Sequence, residues 1–107
     1  MKSISNQTLE KTIMTTYITA EFTPKDQEKL QSYSAQAAPL INQFNGEFLV
    51  KGAIEALNGT ANHKFKAIIA FPTRELALTW YQSPEYQALI TNIRDEAMDA
   101  QFQLIGN

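Results

Sequence analysis

The sequence predicts one α+β domain with the element order β-α-β-β-α-β, an antiparallel sheet and helices on one side of it. Three observations carry this. Four segments rich in β-branched and aromatic residues alternate in polarity with a period of two. Two stretches carry apolar residues at helical spacing, introduced by Thr-Pro and Ser-Pro signals. The 107 residues suit a single domain with one core.

The segment 15–22 (TTYITAEF) reads as the first strand, with Ile18, Ala20 and Phe22 on one face and Tyr17, Thr19 and Glu21 on the other. Thr23, Pro24 and Asp26 then read as a helix start, Thr23 capping and Pro24 at the first helical position. The helix carries Leu30, Tyr33, Ala37, Leu40, Ile41 and Phe44 as an apolar stripe. Pro39 inside it predicts a kink or break, and Asn45-Gly46 a left-handed stop. Residues 47–51 read as a second strand that bends at Gly52 and continues to Leu57. After a polar loop, residues 64–71 (KFKAIIAF) form the clearest strand in the chain. Thr73 caps a short helix with Leu76, Ala77, Trp80 and Tyr81. Ser83-Pro84 opens the next, bearing Tyr86, Leu89, Ile90, Ile93 and Ala97. The second helical region is therefore split in two. Residues 101–105 make the last strand, and the whole is a ferredoxin-like sandwich.

Composition excludes several classes of function. Nine Lys and Arg against eleven Asp and Glu give a net charge of -2, which offers no footprint for nucleic acid or an anionic membrane. There is no cysteine, so disulfides and thiolate chemistry are absent. No stretch approaches the roughly 20 apolar residues of a membrane span, and residues 1–13 lack the apolar centre of a signal peptide. The expected location is the cytoplasm, and the expected organisation is an extension at 1–14 followed by one domain at 15–107.

The strand faces bear on assembly. Phe48, Val50, Phe65, Ala67, Ile69, Phe71, Phe102 and Leu104 match the apolar face of the first strand and belong beneath the helices. Tyr17, Thr19, Glu21, Leu49, Lys51, Lys66, Ile68, Ala70, Gln103 and Ile105 fall on the opposite face. That face is too apolar for water and too polar for a dry core, which predicts a homodimer through the sheet.

The run from Phe71 to Ile90 (FPTRELALTWYQSPEYQALI), followed by Arg94, resembles the signature of the family called domain of unknown function 1330. Tyr17, Glu21, Tyr33, Pro39 and Gly46 are similar to that family as well. The resemblance spans about residues 15 to 106 and implies a dimeric α/β barrel but no known reaction. Such families usually open the second strand with Gly-Gly. Here it is Asn45-Gly46, and asparagine tolerates the left-handed turn.

Candidate sites follow. His63, the only histidine, lies in a polar loop and reads as solvated. A lone histidine builds no His-based metal cluster, and neither helical region holds one for haem, so no metal and no cofactor are expected. Asp95 and Asp99 fall one helical turn apart, opposite the apolar stripe, and read as a solvated face. No Gly-rich phosphate loop or nucleophile elbow is present. What remains is aromatic: Trp80 with Tyr81 and Tyr86, as core or as the wall of an apolar pocket. Arg94 flanks the stripe at roughly 80° from Tyr86, either reaching into the helix-sheet cleft or pairing with Glu21 or Glu47. The ligand-binding candidates are Tyr17, Tyr33, Trp80, Tyr86 and Arg94. Two functions are consistent with them. One is a small-molecule binder or cofactor-independent enzyme that uses the cleft, and the other is a non-catalytic dimeric module.

Overall fold

The computed structural model describes residues 15–106. The extension expected at residues 1–14 lies outside them. The elements run β1 (Thr16–Pro24), α1 (Gln27–Gln43), β2 (Glu47–Ala53), β3 (Phe65–Phe71), α2 (Arg74–Gln82), α3 (Pro84–Leu89), a π-helical turn (Ile90–Arg94), α4 (Asp95–Ala97) and β4 (Met98–Gly106). The strands form one antiparallel sheet in the order β2-β3-β1-β4. This is the expected β-α-β-β-α-β sandwich.

The start of α1 differs from expectation. β1 stays paired with β4 as far as Pro24 opposite Met98, so Thr23 and Pro24 remain extended. Pairing with β3 has already ended at Phe22, so the N–H that Pro24 lacks is not missed on that side. Asp26 is the cap, its carboxylate accepting from Lys29 N at 3.1 Å. Thr23 has another task. Its Oγ1 accepts from Lys64 N at 3.3 Å and lies 3.0 Å from His63 Nδ1, tying the loop before β3 to β1. His63 is thereby half-buried and not free in solvent.

α1 runs without a break through Pro39. Both Pro39 and Ala35, whose carbonyl loses its partner there, are exposed, so water can replace the missing bond. The helix closes as expected of Asn45-Gly46, with the left-handed residue at Asn45 (φ 63°). Asn45 N donates to Asn42 O and Gly46 N to Ile41 O, a Schellman closure. Gly46 is required for space: a Cβ there would lie 2.6 Å from Phe71 Cε2 and 2.8 Å from Ile41 Cγ2.

β2 departs most from simple alternation. Phe48 lies opposite Ile69 but Val50 opposite Ile68, so Leu49 is the extra residue of a β-bulge. Beyond it the faces exchange. Val50 moves to the open face, Lys51 comes opposite Ala67 on the helix side, and the strand ends at Ala53. β4 begins at Met98, earlier than expected, which takes Asp99 out of the helix and leaves it 3.4 Å from Lys25 Nζ.

The core lies between the helices and one sheet face. Ile18, Ala20 and Phe22 of β1 and Ala67, Ile69 and Phe71 of β3 meet Tyr33, Ala37 and Ile41 of α1, with Trp80, Tyr86 and Leu89. The helix starts there follow the sequence. Thr73 Oγ1 accepts from Leu76 N, and Ser83 Oγ accepts from Tyr86 N while donating to Trp80 O. The Ser83 hydroxyl thus locks the corner that places Trp80 and Tyr86 side by side.

Candidate functional site

Trp80 and Tyr86 are both fully buried, their rings 4.3 Å apart. Trp80 also packs on Phe71 at 5.5 Å, which anchors the pair to the sheet. From α1, Tyr33 brings its hydroxyl to 2.6 Å from that of Tyr86.

Arg94 completes the group. Its Nη1 donates to Tyr81 Oη at 3.1 Å and Tyr86 Oη at 3.3 Å. The guanidinium lies over the Phe102 ring, 4.6 Å from the centroid. The π turn explains this aim. In a regular helix Arg94 would stand roughly 80° round from Tyr86. One π turn, closed by Asp95 N donating to Ile90 O, absorbs about one residue and brings the separation to roughly -20°. Arg94 is thereby stacked over Tyr86.

The expected ion pair with Glu21 or Glu47 does not form. Both stand on the other face of the sheet, opposite Lys66 and Ala70 of β3, and Glu21 pairs with Lys66 at 3.3 Å. The carboxylate near Arg94 is Asp95, 3.4 Å from Nε, and its side chain is 68% exposed. Such a contact is weak in water. The guanidinium therefore rests mainly on neutral hydroxyls and an aromatic face.

Burial pushes the Tyr33 hydroxyl far above the usual tyrosine range, and the neighbouring Tyr86 adds to it. Burial raises Tyr86 too, although the hydrogen bond it accepts from Arg94 pulls it back. Both phenols are therefore neutral at physiological pH. Burial works against the charge of Arg94, but the hydrogen bonds to Tyr81 and Tyr86 outweigh it and raise the group.

Next to this network, between α1 and the sheet, lies a cavity of 270 Å³. Its walls include Phe22, Ala37, Ile41, Ile69 and Phe102, together with Tyr33 and Trp80. An apolar cavity of about 150 Å³ accepts benzene, so this one suits a body of roughly ten non-hydrogen atoms. Trp80 also buries its indole N–H with no acceptor among the described residues.

The structure thus sorts the five candidates. Tyr33 and Trp80 line the cavity, Tyr86 bonds to Tyr33, and Arg94 bonds to Tyr86 without reaching the cavity itself. Tyr17 stands apart, opposite Ala70 and Ile105 on the open sheet face, because odd positions of β1 point away from the helices. Sequence reasoning missed Phe102 beneath the guanidinium, since β4 meets the π turn only through the fold. It saw Tyr81 next to Trp80 but not its bond to Arg94. Among the described residues no cluster of His, Asp and Glu could hold a metal ion, and no helix is long and apolar enough to cross a membrane.

Fold and site together define a ferredoxin-like α+β domain with an apolar helix-sheet cavity backed by a buried arginine–tyrosine network. The chain belongs to the family described as domain of unknown function (DUF1330), whose model matches residues 15–107. No curated protein matches it. Among solved structures it is similar to the RPA0582 protein of unknown function from Rhodopseudomonas palustris, at 14% identity and a TM-score of 0.69, covering 100% of this chain and 93% of that one. It is similar to SnoaB, a cofactor-independent oxygenase from Streptomyces nogalater, at 13% identity and a TM-score of 0.63, covering 88% and 93%. A dimeric ferredoxin-like protein of unknown function from Thermobifida fusca gives 14% identity and a TM-score of 0.59, covering 88% and 92%. At these identities the likeness is one of fold.

Proposed function

We propose that this protein binds a small, largely apolar molecule in the cavity between α1 and the sheet, either as a carrier or as an enzyme working without a cofactor. The observation that carries the reading is the polarised chain Arg94–Tyr86–Tyr33 ending on a cavity wall. Arginine can only donate, so Tyr86 Oη accepts from it and becomes the better donor toward Tyr33. That order leaves the spare O–H on Tyr33, beside the cavity, and not on Tyr86, which has no exposed surface. A ligand carbonyl or enolate would accept it, and charge developing on that oxygen would be stabilised through the chain to Arg94. SnoaB, of similar fold, is an oxygenase that needs no cofactor.

Native mass spectrometry of the purified protein tests this directly, with an adduct of small-molecule mass expected that disappears on denaturation. Trp80 is the only tryptophan, so its fluorescence reports on the cavity. Failure of every small aromatic probe to perturb it saturably would overturn the reading.

The alternative of a dimeric module rests on the open sheet face, where Ile68 and Ala70 of β3 lie near Val50 and an Ile105 that is 61% exposed. We propose that a second copy covers this face, as the dimeric state of the Thermobifida fusca protein suggests. Assembly there leaves the cavity on the other side of the sheet, so the two readings are compatible. A cytoplasmic location fits the cysteine-free composition.

A further inference from the structure

Without the bulge at Leu49, β2 would place Val50 opposite Ala67 on the helix side and Lys51 opposite Lys66 on the open face. The observed register reverses both. The chain thus gives up covering an aliphatic side chain, leaving Val50 54% exposed, and brings a cation to the cavity instead. Bulges often re-aim one side chain beside a functional site.

Lys51 is the one charged residue among those that line the cavity. Its Nζ stands 5.8 Å from the centroid of Phe22, another wall residue. Its aliphatic stem follows apolar surface while the ammonium stays in water at the rim. Lys25, Lys29 and Lys66 are paired with Asp99, Glu96 and Glu21 respectively. Lys51 has no carboxylate within salt-bridge distance among the described residues, and no Asp or Glu lines the cavity.

We propose that Lys51 is an anion-recognition residue at the cavity mouth. The ligand is then amphipathic, an apolar body of roughly ten non-hydrogen atoms carrying one terminal carboxylate. This rests on the cavity being the binding site and adds the class of molecule it takes. The apolar body would sit among Phe22, Ile41, Ile69 and Trp80, with the acid group outward against Lys51.

The test compares 2-naphthoate with the neutral 2-naphthamide by isothermal titration calorimetry. The wild type is expected to prefer the acid by about three- to tenfold, a preference that shrinks as salt is raised. Lys51→Met keeps the stem over Phe22 and is expected to abolish the preference, while Lys51→Arg retains it. Lys66→Met, on the opposite face, is expected to leave it unchanged. Equal binding of acid and amide by the wild type, or a preference that survives Lys51→Met, overturns the assignment and leaves the cavity reading standing. Binding of neither probe at millimolar concentration overturns both.

Discussion

Replacing Arg94 with methionine isolates the contribution of its charge, because the aliphatic stem is kept. The guanidinium shares one Nη1 between two phenol oxygens, at 3.1 and 3.3 Å, so each bond falls short of the range usual for a charged donor and is worth about 1 kcal/mol. The contact with Phe102, on an arginine side chain only 12% exposed, adds about 1 kcal/mol. Relief of the cost of keeping that largely buried charge out of water offsets roughly half of this sum. The net loss is about 1 to 2 kcal/mol, or roughly 4–16 °C in Tm for a domain of this size. Denaturant unfolding of single and double variants is the assay. Arg94→Met with Tyr86→Phe should couple by about 1 kcal/mol, and with Glu21→Gln by less than about 0.3 kcal/mol. Asp95→Asn should cost under about 0.5 kcal/mol, because that pair is solvated. Coupling near 1 kcal/mol with Glu21 would show the charge committed to a strand carboxylate and refute the network. Absence of coupling to both Tyr81 and Tyr86 would refute it equally.

Alkaline pH should expose the buried phenols. Both titrate higher in the fold than the ordinary value of 10.0, so their contribution is complete below about pH 10 and is lost as pH rises through their folded values. The slope is at most about 1.4 kcal/mol per pH unit per tyrosine, and Tyr33→Phe should flatten it in Tm measured from pH 8 to 11.5. Gly46→Ala forces a Cβ onto Phe71 and Ile41 and is expected to cost about 1 to 3 kcal/mol by denaturant unfolding. Ile105→Glu, exposed in one copy, should leave the fold intact but shift light-scattering mass from dimer to monomer; a wild type monomeric at micromolar concentration would refute the sheet-face dimer. Removing residues 1–14 should leave Tm unchanged, since among the described residues the paired strand is complete from Thr16 onward.

What the sequence determined by itself is local or periodic. Thr73 and Ser83 act as caps because a hydroxyl and an amide three residues later meet whatever the rest of the chain does. Asn45 takes the left-handed turn because its own backbone tolerates it. Period-two alternation in β1 and β3 sorted their faces correctly, and with them the β-α-β-β-α-β order and the aromatic cluster at Trp80 and Tyr86. The tertiary structure decided everything that depends on a one-residue change of phase. Pairing with β4 held Thr23 and Pro24 extended and passed the cap to Asp26. The π turn carried Arg94 from the flank of the apolar stripe onto Tyr86, and the bulge at Leu49 exchanged Val50 for Lys51 at the cavity. Neither irregularity has a local signature, because each is stabilised by contacts with another element. A single inserted residue rotates a helix by about 100° and inverts a strand, and so the site's two cations were the residues whose direction could not be read in advance.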